Sequence, residues 1–155
     1  KTESSLLKMY NKKKNIFYSY DLKNKFFINI PSISNYFILF ADLNDEKVNK
    51  RIIESLKGYN QKEKYIFSSI KPDHKSFDEK RYWRGPVWIN TNWIIYQSLK
   101  NKDKVYAKKI KDKTIKLIEE KNFFEYYSCK NAETLGANNF SWSSALYLDL
   151  IYESN

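Results

Sequence analysis

A chain of 155 residues with 42% apolar composition is long enough for one packed domain or part of one, and too apolar to stay disordered. Three glycines and three prolines weigh against a β-sandwich or barrel built on many tight turns, and a single cysteine, Cys129, excludes an internal disulfide or a multi-cysteine zinc site. The net charge of +10 invites a nucleic-acid partner, yet it rests on 25 lysines against 3 arginines (Arg51, Arg81, Arg84). Phosphate and base-edge recognition favour the bidentate arginine fork, so a solvated lysine surface is the reading taken, with no nucleic acid bound. No apolar run reaches the roughly 18–20 residues of a membrane span, so no membrane partner is expected. The sequence starts at Lys1 without a signal pattern. It is therefore expected to begin inside a larger protein, with a cytoplasmic location favoured.

In chain order, residues 3–13 carry Leu6, Leu7 and Tyr10 on one face and predict an amphipathic helix. Residues 33–43 are apolar nearly all round, as in a buried helix. Residues 45–57 place Val48, Ile52, Ile53 and Leu56 on one stripe, with Asn44 or Asp45 as the cap and Gly58 as the stop. Residues 86–99 are again apolar around most of the circumference, with Pro86 suited to a first helical turn. Residues 103–121 return to one stripe, and residues 140–152 form a third apolar helix capped by Asn139 or Ser141. The order is half-exposed, buried, repeated along the chain. Successive helix hairpins give this order when one helix of each pair lines an inner ring and the other an outer ring. Six helices cannot close such a double ring, which needs twelve.

The connections follow the same alternation. Buried-to-exposed links are short, whereas 14–32, 58–85 and 122–139 are long and all fall at one end of such an array. Long connections with little regular structure are usually functional, which places the working face there, with short strands expected around 16–20 and 64–70. Each long link mixes aromatics with a few charged groups. Aromatics can cap the core with apolar area, or stack on the C–H faces of sugar rings. Glu125, between Phe123-Phe124 and Tyr126-Tyr127, is either an ion-pair partner or a carboxylate with a tuned pKa. His74, the only histidine, lies in a charged run and reads as a surface residue. No glycine-rich phosphate loop and no metal-ligand spacing are present.

Residues 81–93, RYWRGPVWINTNW, resemble the signature of α-glycosidases with an (α/α)6 barrel. The likeness is to glycoside hydrolase family 63 and its relatives that hydrolyse mannosylglycerate or glucosylglycerate. Residues 123–127, FFEYY, and 134–143, TLGANNFSWS, resemble the base loop and last inner helix of these proteins, and 17–22, FYSYDL, an earlier aromatic–acid loop. The resemblance implies an all-α fold, the C-terminal half of an (α/α)6 toroid, with residues 1–155 one part of a catalytic domain whose N-terminal half is absent. It implies an inverting α-glycoside hydrolase that uses no metal or cofactor. Glu125 matches the general base. Trp83, Arg84, Gly85, Trp88, Asn90, Tyr127 and Trp142 match substrate-binding positions. The general acid, an Asp in an earlier loop, has no counterpart here, so the chain alone is expected to be inactive. The partners implied are a carbohydrate and the missing half of the barrel. The alternative is a carbohydrate-binding or degenerate domain that keeps the pocket and not the chemistry.

Overall fold

The computed structural model describes residues 2–41, 43–59 and 65–153. Helix α1 (Thr2–Leu7) is followed by two hairpins, β1 (Tyr10–Asn11) with β2 (Ile16–Phe17), and β3 (Ser19–Asp21) with β4 (Phe26–Ile28). A 3-10 helix, Ile33–Ala41, leads to α2 (Glu46–Lys57). Beyond the second long link, a 3-10 turn, Tyr82–Arg84, precedes α3 (Ile89–Leu99) and α4 (Lys104–Lys121). The chain then forms a hairpin, β5 (Phe124–Tyr127) with β6 (Thr134–Asn138), and ends in α5 (Ser141–Tyr152).

Aspartates start the two helices with the clearest single stripes. Asp45 accepts the Val48 N–H at 3.0 Å and so caps α2, whose Ile52, Ile53 and Leu56 turn into the core. Asp103 accepts the Tyr106 N–H at 3.0 Å and caps α4. Asp103 also pairs with Lys57 Nζ at 3.0 Å, tying the end of α2 to the start of α4. The Tyr106 N–H, and then Lys57, hold the Asp103 carboxyl below the usual carboxylate range. Its stabilisation is therefore complete above the ordinary carboxyl pKa and is lost as pH falls through the folded value. Asp103→Ala is expected to cost about 1 kcal/mol, the usual worth of an N-cap. Thermal unfolding should show this difference at neutral pH and its disappearance in acid.

The first helix ends earlier than the spacing of Leu6, Leu7 and Tyr10 predicts. Asn11 Oδ1 accepts the N–H groups of Lys13 and Lys14 at 3.1 and 3.0 Å, and Asn15 takes a left-handed φ of 51°. That turn closes a hairpin with the Tyr10 ring on Phe17 at 5.1 Å. Strands do form around 16–20, as β2 and β3. Within 64–70, of which Lys64 lies outside the described residues, only single bridges occur, Ser32 with Ile70 and Ser68 with Val87. The segment read as 33–43 winds as a 3-10 helix that ends at Ala41, and residue 42 lies outside the described residues. Pro86 stands before α3 rather than in its first turn, because Val87 pairs in extended form with Ser68 on one side and Tyr127 on the other.

The apolar helix over 140–152 is also corrected. It begins at Ser141 with Phe140 in the cap position and no side-chain cap bond, so neither Asn139 nor Ser141 serves. Of its residues only Ser143 and Leu150 are buried. Helix α5 packs on α3, α4 and β5, and its remaining sides, including Trp142, Leu148 and Tyr152, are open. By contrast α3 is enclosed by the 3-10 helix Ile33–Ala41, α4 and α5, and buries Ile95 and Leu99 completely.

The long connections meet along one backbone seam. The Ile33 N–H donates to Ser69 O, Ser69 N–H to Pro86 O, and Val87 and Tyr127 exchange N–H···O bonds of 2.7 and 3.0 Å. Tyr59, at the end of α2, reaches under this seam and donates its hydroxyl to Ser68 O at 3.1 Å. Segments from all three long links are thus fixed side by side at the start of α3.

Candidate functional site

The hairpin β5–β6 carries an irregularity that aims Glu125. Phe124 pairs with Asn138 and Tyr126 with Leu135, so Gly136 and Ala137 together stand opposite Glu125. This is a β-bulge, with Gly136 in the left-handed region at φ 74°. The bulge turns the Ala137 N–H toward Glu125 Oε2 at 3.1 Å. A side chain at 136 has no room: a Cβ there would lie 2.6 Å from Glu125 Oε2 and 2.6 Å from Tyr126 Cε1. The second carboxylate oxygen, Oε1, accepts the Tyr82 hydroxyl at 2.9 Å. Among the described residues no lysine or arginine makes an ion pair with Glu125. The bonds to its carboxylate come from Tyr82 and a backbone amide, not from Tyr126 or Tyr127.

Next to this carboxylate stands a stack of rings. Trp83 and Trp88 lie parallel at 4.0 Å, and Trp88 and Tyr126 lie at 4.8 Å with a 24° angle. Tyr82 meets both Trp88 and Tyr126 edge-on, at 4.8 and 5.4 Å. Trp88 is the buried middle of the stack, and its indole N–H donates to Tyr82 O at 3.1 Å. Trp83 is the outer member, 45% exposed. With Ser19, Ser32, Ser34, Ser69 and Thr91 it lines a cavity of about 410 Å³.

The residues around the stack hold its backbone in place. Gly85 lets the chain pass against 78–79, since a Cβ there would fall 2.1 Å from Asp78 O. Arg84 donates from Nε to Ser76 O at 3.0 Å and accepts the Asp78 N–H through its own carbonyl, so it ties down the preceding loop. Asn90, in the first turn of α3, has a buried Oδ1 with no hydrogen-bond partner in the structure. An unpaired buried acceptor is costly, which makes Asn90 a candidate to receive a hydroxyl.

Among the described residues, two expected site residues make no ring contact with this stack. Tyr127 is 0% exposed, with its hydroxyl donating to Asn122 O at 2.6 Å. It seals the core beneath the hairpin and presents no surface to a ligand, which corrects its reading as a binding residue. Trp142, 46% exposed on α5, is tilted against Phe140 at 6.5 Å. Among the described residues it has no ring contact with the Trp83–Trp88–Tyr126 stack. Asp21 closes the β3–β4 turn by accepting the Lys23 and Asn24 N–H groups at 2.9 and 2.8 Å. His74 is partly buried, and its Nδ1 accepts the Ser76 N–H at 3.1 Å within its own loop. No cluster of metal-ligating side chains occurs among the described residues.

Residues 1–143 match the family model of the mannosylglycerate hydrolase MGH1-like glycoside hydrolase domain. The chain belongs to this family. The mannosylglycerate hydrolase of Thermus thermophilus is 29% identical over 147 residues, covering 94% of this chain and 35% of that protein. The glucosylglycerate hydrolase of Mycolicibacterium hassiacum is 28% identical over 85 residues, which cover 54% of this chain and 19% of that protein. The crystal structure of a family 63 mannosylglycerate hydrolase from Thermus thermophilus in complex with glucose superimposes with a TM-score of 0.88 at 27% identity. That match covers 97% of this chain and 36% of the other. The neutral trehalase of Saccharomyces cerevisiae shares the fold, with a TM-score of 0.74 at 17% identity, over 99% of this chain and 29% of that one. The chain therefore spans about a third of the length of the mannosylglycerate hydrolases it matches. The helices seen here are part of the (α/α)6 barrel of glycoside hydrolase family 63. No helix among the described residues is long and apolar enough to cross a membrane.

Tyr82, Gly136 and Ala137 are the site residues that sequence reasoning missed. One signal was available for Gly136. In a chain with so few glycines, one inside a strand-like stretch marks a bulge or a close approach.

Proposed function

We propose that residues 1–155 form the base-bearing part of the catalytic domain of an inverting α-glycoside hydrolase. The observation that carries this is a carboxylate free of ion pairs among the described residues, held on both oxygens by hydrogen-bond donors, at the edge of an aromatic stack in a chain of this family. Glu125 is the general base. It takes a proton from a water as the water oxygen bonds to the anomeric carbon. An acid on the opposite side gives its proton to the leaving oxygen as the glycosidic C–O bond breaks. Inverting enzymes hold the two carboxyl groups roughly 6.5–9.5 Å apart to admit the water. No aspartate of this chain matches the acid, which comes from polypeptide outside it. These steps need no metal or cofactor.

Trp83 offers its open face to the apolar side of the sugar, supported from behind by Trp88. Arg84 and Gly85 shape the wall, and Asn90 bonds a hydroxyl. The substrate is a small α-mannoside or α-glucoside of glycerate, as with the relatives named above. The remaining helices of the barrel pack on the open sides of α5. Intact protein given α-mannosylglycerate or α-glucosylglycerate should release first the β-anomer of the sugar, followed by proton NMR. Release of the α-anomer, or binding of the sugar without turnover, would overturn the inverting mechanism and favour a carbohydrate-binding domain.

A further inference from the structure

We propose that Tyr82 is a positioning residue for Glu125: its hydroxyl fixes one carboxylate oxygen and keeps the base aimed while the other oxygen rests on the Ala137 amide. This inference rests on the reading of Glu125 as the base. Tyr82 is almost half exposed, so its ring is not there to fill the core. Its backbone is left-handed at φ 27°, a region that a bulky side chain enters only when its surroundings hold it there. The surroundings do so. The Trp88 indole N–H grips the Tyr82 carbonyl at 3.1 Å, and the ring is braced edge-on by Trp83, Trp88 and Tyr126. Two residues later Arg84 is anchored to Ser76 O, and next to it Gly85 is wedged against 78–79. The outcome of this strain is one contact, a 2.9 Å hydrogen bond from the hydroxyl to Glu125 Oε1, across 43 residues of chain.

The two donors divide the carboxylate between them. Ala137 N–H holds Oε2 from β6, and Tyr82 approaches Oε1 from a different element. Rotation about the last side-chain bond of Glu125 would break both. Among the described residues, Tyr82 of the 3-10 turn faces the carboxylate through its hydroxyl, and its ring meets Tyr126 of β5. The bond to Glu125 pushes the Tyr82 hydroxyl above its ordinary pKa, so it remains a donor across the neutral range.

The test is Tyr82→Phe in the intact protein, assayed on α-mannosylglycerate and α-glucosylglycerate over a pH range from acid to mildly alkaline. The ring and its packing stay, and only the hydroxyl is lost. The kcat at neutral pH is expected to fall about tenfold or more, as for loss of a hydrogen bond to a charged group, with KM little changed. The loss should fall on kcat across the whole pH range, because the hydroxyl acts on the carboxylate and not on the sugar. A role in folding alone would lower the amount of active protein and leave kcat per folded molecule where it was. Replacing Tyr82 with 3-fluorotyrosine, which keeps the hydroxyl, should hold kcat near wild type. A Tyr82→Phe kcat within about twofold of wild type, or a 3-fluorotyrosine variant as slow as Tyr82→Phe, would overturn the proposal. Glu125→Gln separates the two ideas: if it is inactive while Tyr82→Phe behaves as wild type, Glu125 remains the base and only the role of Tyr82 falls.

Discussion

Glu125→Gln should leave the fold intact and lower kcat of the intact protein by about a thousandfold, within the range that general-base catalysis contributes. Glutamine has nearly the same shape and still offers an amide oxygen to the Tyr82 hydroxyl. It cannot take a proton from water, and its NH2 group would meet the Ala137 N–H donor-to-donor. With the sugar bound on the Trp83 face, as proposed, KM should change far less than kcat. Steady-state kinetics across pH, with thermal unfolding to show that the variant is folded, checks each point. Activity within about tenfold of wild type would place the base elsewhere.

Gly136→Ala should have the second largest effect although residue 136 performs no chemistry. A Cβ at this position would lie 2.6 Å from Glu125 Oε2, 2.8 Å from Glu125 Cβ and 2.6 Å from Tyr126 Cε1. The left-handed φ of 74° adds about 1–2 kcal/mol of strain for any residue with a Cβ. The carboxylate tip can swing away, whereas the contact with Glu125 Cβ is relieved only by a shift of the strand, so the carboxylate moves together with its strand. A displacement near 1 Å costs about a hundredfold in rate. The expected result is a kcat about a hundredfold lower with modest loss of melting temperature, because the hairpin edge is exposed and only the β5 side is anchored through Tyr127. Equal losses in stability and rate would mean that the bulge supports the fold and not the position of the base.

The parts of the fold open to sequence reading were those governed by local rules. Helices α2 and α4 have one apolar stripe, an aspartate cap and a defined stop, and the structure keeps them within a residue of the expected bounds. Helix α1 was read too long because Tyr10 fits both a helical stripe and a strand pair with Phe17. The deciding feature, the Asn11 side chain bonding the next turn, is a competition between side chain and helix that apolar spacing does not register. Helix α5 was read as buried from its composition, which is sound for a closed ring; its open sides lie where the described residues supply no neighbour. At the candidate site, Glu125 and the Trp83–Trp88 pair could be located by the likeness of short motifs. Tyr82 could not. Its partner is distant in sequence, and nothing in the pattern RYWRG reveals a left-handed tyrosine.

The bulge opposite Glu125 also limits how this hairpin can vary. Because neighbouring strand residues face opposite ways, loss of one residue between Leu135 and Asn138 would restore regular pairing and withdraw the Ala137 amide from the carboxylate. A gain of one would shift the amide the other way. The length of β6, together with Gly136, therefore sets where the Glu125 carboxylate is held.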